Sequence, residues 1–283
     1  IDKDAAGNYL MSGRHTRSIY YISGSTGEIL WTLGGKNSSF TGSGTEFWFQ
    51  HNPRFVGEKN LTAAQVSTMR TRRITLFDNE NGILTDPVHN ITVSRGLMVE
   101  IDLDAHTATV VQTFPSPSAA HITSFAMGDV QLLSEVPALD SMNVVVGFGL
   151  ELLLAIGANS SISLQGIQTF FAEYAANGTP LRLVQYTGPN SEDASYRVFK
   201  NTWVGRPSTD PDVVIQDGML YVSWNGATEV ASWRIEQGNN STTVAKTGFE
   251  TAVAIVSTTQ MQVSGLAANG TVLGTSRVVT VSS

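Results

Sequence analysis

The chain has 283 residues, 41% of them hydrophobic and only 14% charged, with a formal net charge of −7. A chain of that length can bury a large core as one all-β domain, and its acidic balance excludes a basic footprint for nucleic acid or an anionic membrane surface. Cysteine is absent, which excludes disulfides, a thiolate nucleophile and Cys-based zinc sites within the chain.

Short β-rich runs bounded by Gly, Asn, Asp and Pro fill the sequence, and sustained helical period is nearly missing. Strands are predicted near Ser18–Ile22, Ile29–Leu33, Arg73–Phe77, Gly96–Leu103 and Thr107–Thr113. Further strands are predicted near Asn143–Gly147, Gln168–Tyr174, Leu181–Tyr186, Met219–Trp224, Val230–Glu236, Met261–Leu266 and Val272–Arg277. The apolar stretch from Val144 to Phe171 is broken by Gly147, Gly149, Glu151 and Gly157, too short for a membrane helix.

Four hairpins repeat one pattern, turning at Thr26-Gly27, Asp104-Ala105, Asn177-Gly178 and Asn269-Gly270. Asn-Gly between β runs predicts a type I′ turn. A hairpin repeated in this way predicts the outer strands of β-propeller blades rather than a β-sandwich. The fold class expected is therefore all-β, a single domain over residues 1–283, with Ile22, Ile29, Leu103, Val110, Leu183 and Leu266 among the buried positions. Inserted loops are expected at Gly35–Arg72, Pro115–Phe125, Glu135–Ser141 and Leu150–Gly166.

Eight Asn-x-Ser/Thr acceptors stand at Asn37, Asn60, Asn90, Asn159, Asn177, Asn239, Asn240 and Asn269, against roughly three expected by chance in so Ser/Thr-rich a chain. That excess predicts a secreted, extracellular glycoprotein.

Asp2-Lys3-Asp4 through Leu10, Arg14-His15-Thr16, Thr26-Gly27-Glu28-Ile29-Leu30-Trp31, Phe49-Gln50-His51, Arg54-Phe55, Ile74 to Asn79 and Ser94-Arg95-Gly96 carry a family likeness. So do Ser195-Tyr196-Arg197, Trp203 to Pro207, Tyr221 to Val230 and Thr247 to Thr251. Together they resemble the fungal branch of the arylsulfotransferase-like β-propeller family. The resemblance implies that this chain supplies the C-terminal blades. It implies too that the propeller is completed by an N-terminal part of the same precursor or by another chain.

His15 and His51 are the candidate catalytic residues, and Arg14, Arg54, Arg95 and Arg197 the candidate substrate ligands. Imidazole exchanges a proton near neutral pH, and guanidinium grips a sulfate or carboxylate with a planar fork. His15 and His51 are expected to share an anion-binding pocket. His89, His106 and His121 read as surface residues, and Arg206 before Pro207 as a structural clamp. Trp48, Trp203, Trp224 and Trp233 are aromatic candidates for stacking on a ring or for wedging blades together. Asp2-Lys3-Asp4 and Asp78 to Gly82 complete no EF-hand pattern, and Gly34-Gly35-Lys36 is only a fragment of a phosphate loop. No metal and no cofactor is expected.

The resemblance leaves two chemistries open for a carbohydrate or phenolic substrate. One is a polysaccharide lyase that cleaves a bond to a uronate by β-elimination, favoured for a heavily glycosylated secreted protein. The other is a nucleotide-independent aryl sulfotransferase working through a sulfated histidine. A binding-only propeller is the third reading, prompted by Arg17, Ser23, Asn52 and Pro53, which depart from the family pattern around the candidate site.

Overall fold

A computed structural model describes residues 1–80, 93–116, 124–133, 143–156, 162–185, 194–255 and 260–280. The protein is all-β, built almost entirely from antiparallel strands. It divides into two compact units, Ile1–Lys200 and Asn201–Ser283, each with a core of its own.

The first unit opens with β1 (Asp2–Lys3), β2 (Tyr9–Gly13), β3 (Ser18–Ile22) and β4 (Ile29–Gly34), paired in chain order as a four-stranded meander. A second meander follows in β5 (His51–Phe55), β6 (Thr71–Asp78), β7 (Arg95–Asp102) and β8 (Thr107–Pro115). Between β5 and β6 stands the short helix α1 (Ala63–Ser67), started by a capping box in which Thr62 and Gln65 satisfy each other's backbone N–H groups. The remaining strands are β9 (Ser124–Ala126), β10 (Asp129–Leu132), β11 (Val144–Gly147), β12 (Leu150–Ile156), β13 (Ile162–Gln168), β14 (Phe170–Tyr174) and β15 (Pro180–Gln185). They form a four-stranded sheet ordered β10-β11-β14-β15 and a three-stranded sheet ordered β13-β12-β9.

Two predicted loops are corrected here. Within the predicted loop Leu150–Gly166, the described residues are strand: β12 and β13 pair antiparallel from Glu151 opposite Gln168 to Ile156 opposite Ile162. The apolar run between Gly149 and Gly157 has strand length, not helix length. Gly35–Arg72 likewise contains α1 and β5. Residues 134–142 and 117–123, with His121 and most of two other predicted loops, lie outside the described residues, as do His89, Asn90 and Asn159.

All four predicted hairpins form, but the two Asn-Gly turns differ from the type I′ expectation. In the Asn177-Gly178 turn the Ala175 N–H donates to Thr179 O at 2.9 Å, and in the Asn269-Gly270 turn the Ala267 N–H donates to Thr271 O at 2.8 Å. Only the glycines take left-handed backbone, with φ of 81° and 84°. Each asparagine instead accepts a 3.0 Å hydrogen bond from the N–H two residues on, and the register shifts by one in the adjoining strands. Three-residue loops with a glycine bulge result.

Strand alternation sorts the core of the first unit. From β6 and β7, Ile74, Leu76, Leu97, Val99 and Ile101 join Leu10, Ile19, Trp31 and Leu33 of the first meander. Their neighbours Phe77 and Met98 join Val130, Val144, Val146 and Phe170 of the third sheet. The second meander is thus buried on both faces. Packing there is close: a Cβ on Gly96 would come within 2.9 Å of Val130 and 3.1 Å of Val146.

Of the six positions predicted to be buried, Leu266 is buried, and Ile22, Leu103 and Val110 are half-buried. Ile29 and Leu183 are corrected: they are 58% and 44% exposed, because β4 and β15 are the last strands of their sheets.

The second unit holds β16 (Asp212–Gln216), β17 (Met219–Ser223), β18 (Ser232–Gln237), β19 (Asn240–Ala245), β20 (Glu250–Ala254), β21 (Gln260–Leu266), β22 (Val272–Thr275) and β23 (Val279–Thr280). β16, β17 and β20 form one sheet, and the others form a second. Val213, Leu220, Val222, Ile235 and Val263 pack around Trp233. That tryptophan is fully buried, with its N–H donating to Thr251 Oγ1 at 3.1 Å, so it is a core residue and no platform for a ring.

The first two meanders are locked by a buried ion cluster. Arg72 on β6 donates from Nε to Glu58 at 2.9 Å and from Nη2 to Asp4 at 3.1 Å and to the other Glu58 oxygen. Its guanidinium lies over Phe55 at 4.0 Å and Tyr21 at 4.8 Å, and the Tyr21 hydroxyl donates to Asp4 at 2.6 Å. Removing the cation would strand two buried carboxylates. Arg72→Ala is expected to cost about 3–5 kcal/mol of unfolding free energy. Arg73→Ala, which breaks the part-exposed pair with Glu100, is expected to cost less than about 1 kcal/mol. Urea denaturation of the two variants checks the contrast.

Candidate functional site

His51 opens β5 between two non-glycine residues held in left-handed backbone, Phe49 with φ 55° and Asn52 with φ 49°. Such conformations are costly and concentrate at functional sites. The strand also slips register between His51 and Arg54, which re-aims the side chains that follow.

Both imidazole nitrogens are engaged. Nδ1 lies 2.7 Å from Asn79 Oδ1, and Nε2 accepts the Met127 N–H at 3.2 Å. Because a backbone amide can only donate, the proton belongs on Nδ1 and the lone pair on Nε2. Asn79 is oriented in turn: its Nδ2 donates to the carbonyls of Ser124 and Met127, each at 3.1 Å. Burial lowers the His51 pKa below its ordinary 6.5, with Arg14 and Arg197 adding to the effect and the Asn79 and Phe49 hydrogen bonds opposing it. His51 is a neutral imidazole with a defined tautomer at neutral pH.

The turn that caps Nε2 is itself constrained. Met127 has φ 69° and Gly128 φ 101°. A Cβ on Gly128 would meet the Phe77 ring at 2.4 Å, so this position requires glycine. Arg14 holds the same turn, donating from Nη2 to Phe125 O at 2.7 Å. Its Nε is buried without a hydrogen-bond partner, and its guanidinium stacks on Phe49 at 4.9 Å and Phe125 at 5.4 Å. Burial also lowers the Arg14 pKa from its ordinary value.

Arg197 is half-buried and stacks on Tyr196 at 4.9 Å. Its carbonyl accepts the Ser195 hydroxyl at 3.3 Å, but among the described residues its side chain forms no hydrogen bond or ion pair. Its charge acts on His51 and on Asp129. Asp129 is fully buried; one oxygen accepts the Val198 N–H at 2.9 Å and the other has no partner. Burial pushes its carboxyl up to about 6, against the pull of Arg197 and Arg54.

The other predicted residues are placed elsewhere. Arg54 donates to Asn52 Oδ1 at 3.1 Å, Ile1 O at 3.2 Å and Asp2 at 3.3 Å. It lines a cleft of about 810 Å³ together with Asp2, Glu58 and Phe199. Arg95 is committed to Asp78 at 3.1 Å and Glu80 at 2.6 Å. Asp78, fully buried, also accepts the Trp48 N–H at 2.9 Å, and burial pushes its carboxyl up to about 7. His15 is exposed; its ring meets the Phe49 ring edge-on at 6.4 Å. No hydrogen bond joins His15 to His51. His106 is exposed at a turn with φ 53°.

Asn79, Met127 and Asp129 are the members that sequence reasoning missed. Asn79 did sit in a family-like stretch, but only as part of an acidic turn. Nothing in the sequence marks the Met127 amide, because its role comes from backbone geometry.

A half-buried neutral imidazole whose one lone pair is held only by a backbone N–H, under the influence of two guanidiniums that form no ion pair among the described residues, suits an oxyanion-bearing substrate. A search of the curated proteins finds no match to the chain. Residues 1–151, more than half of the sequence, match the family model described as arylsulfotransferase (ASST), and the chain belongs to that family.

Proposed function

We propose that this protein transfers a sulfuryl group through His51. The observation that carries the reading is the fixed Nδ1–H tautomer, which leaves the lone pair on Nε2, in the electrostatic field of Arg14 and Arg197. With an aryl sulfate donor, Nε2 attacks sulfur, the S–O(aryl) bond breaks, and its electron pair leaves on a phenolate that takes a proton from water. An acceptor phenol then attacks the sulfur of the sulfated histidine. The N–S bond breaks, its pair returns to Nε2, and the acceptor's proton passes to solvent. The guanidiniums stabilise the sulfuryl oxygens throughout. For attack to occur the Met127 N–H must leave Nε2, a displacement within the constrained turn Ser124–Gly128.

The lowered pKa favours this chemistry over β-elimination. It keeps the nucleophile unprotonated at neutral pH, whereas the same shift makes His51 a weaker base for a carbon acid. We further propose that the four-stranded meanders are blades of a β-propeller and that the protein is secreted and glycosylated. The acceptors Asn37, Asn60, Asn177, Asn239, Asn240 and Asn269 are all exposed, as glycan attachment requires.

Incubation with an aryl sulfate and a second phenol is expected to yield the sulfated acceptor, and His51→Ala should lower turnover by about a thousandfold or more without loss of fold. Wild-type activity in His51→Ala would refute the assignment. Release of an unsaturated uronate from an acidic oligosaccharide, followed by ultraviolet absorbance, would replace it with the lyase. Because the folded pKa of His51 lies below 6.5, protonation silences Nε2 only on the acid side. The acid limb of the rate profile is therefore expected to have its midpoint below 6.5, and a midpoint above that value would contradict the burial argument. N-glycosidase treatment of the natural protein is expected to lower its mass.

A further inference from the structure

Beside His15, on the β2–β3 turn, lies a cleft of about 870 Å³ whose lining includes Arg17, Lys36, Trp48, Tyr20 and Ile29. Arg17 sits over the Trp48 ring, its guanidinium carbon 3.9 Å from the centroid. Among the described residues neither the Arg17 nor the Lys36 side chain forms a hydrogen bond or ion pair. Glu46 is the one acid among the described lining residues, and it pairs with neither. A stacked guanidinium loses rotamer freedom yet keeps its in-plane N–H donors, an arrangement suited to a bidentate oxyanion.

The backbone at Arg17 makes the same point independently. Its φ is 55°, in the left-handed region where glycine or asparagine fits with less strain. A turn that needed only its shape would be better served by those residues. Ile29 is 58% exposed on β4, and with Tyr20 it gives the cleft an apolar wall.

We propose that this cleft binds a ring-bearing oxyanion, its sulfate or carboxylate against Arg17 and Lys36 and its ring against the Tyr20 and Ile29 wall. The site does not depend on the His51 chemistry. Phenyl sulfate is the probe, titrated into N-glycosidase-treated protein because Asn37 also lines the cleft, with the Trp48 indole N–H resonance as the readout. That resonance is expected to shift saturably, and phenol and inorganic sulfate should each bind about tenfold more weakly. Arg17→Gly suits the left-handed backbone and should fold normally while weakening binding about tenfold or more. Lys36→Ala removes an exposed side chain without contacts and should weaken binding several-fold. His51→Ala should leave the Trp48 response unchanged, which separates this site from the catalytic assignment. An absent or non-saturable Trp48 shift, or unchanged affinity in both Arg17→Gly and Lys36→Ala, overturns the proposal.

Discussion

The buried cation of Arg72 is the constraint on which the first unit rests. Its partners come from three separate stretches: Asp4 just after β1, Glu58 after β5, and the Tyr21 and Phe55 rings on β3 and β5. Isolated charges are expensive to bury, and this cluster offsets that cost because Nε and Nη2 of the guanidinium meet two carboxylates while the two aromatic rings pack against it. The consequence reaches the site. Phe55 ends the strand that His51 begins, so the contact that fixes one end of β5 also limits where the imidazole at its other end can go.

Around His51 the net electrostatic effect disfavours the imidazolium. Its Nδ1–H is held by an amide oxygen, not a carboxylate, and the hydrogen bonds of Asn79 and Phe49, which favour the charged form, are outweighed by burial. Two guanidiniums add to the penalty of burial. The acids that lie nearby are dealt with elsewhere: Asp78 and Glu80 are held by Arg95, and Asp129 is buried with its carboxyl pushed up to about 6. A neutral nucleophile in a field of unspent cations attracts an anion and keeps its own lone pair. Arg14 serves both purposes, with Nη2 on the capping turn and Nε unpaired.

Much of this architecture was legible in the sequence because it depends on local chemistry. The hairpin at Thr26-Gly27 could be read from alternating β runs around a glycine, and so could those at Asn177-Gly178 and Asn269-Gly270. Turn type could not, since a glycine bulge and a type I′ turn favour the same Asn-Gly pair. Leu150–Ile156 was misread as a loop because a short apolar run carries no period of its own. The exposure of Ile29 and Leu183 depends on their strands being outermost, which no local pattern encodes. At the site, His51, Arg14 and Arg197 were visible through the family likeness. Arg54 and Arg95 look the same in sequence, and only their acidic partners, Asp2 for one and Asp78 with Glu80 for the other, separate a structural guanidinium from one with donors to spare.

Backbone strain draws the same boundary without reference to charge. Seven non-glycine residues among those described have left-handed φ: Arg17, Phe49, Asn52, Glu80, His106, Met127 and Asp217. His106 and Asp217 sit in ordinary turns between paired strands. The other five gather around the two candidate sites. Phe49 and Asn52 flank His51, Met127 caps its Nε2, Glu80 follows Asn79 and pairs with Arg95, and Arg17 covers Trp48. At about 1 kcal/mol or more each, such positions persist only where surrounding structure over-determines them, and here the Arg72 cluster and the doubly buried second meander supply that support. At Arg17, Phe49, Glu80 and Met127 glycine or asparagine would fit the backbone with less strain. Their clustering around the two candidate sites marks residues whose side chains, not merely whose backbone, the protein uses.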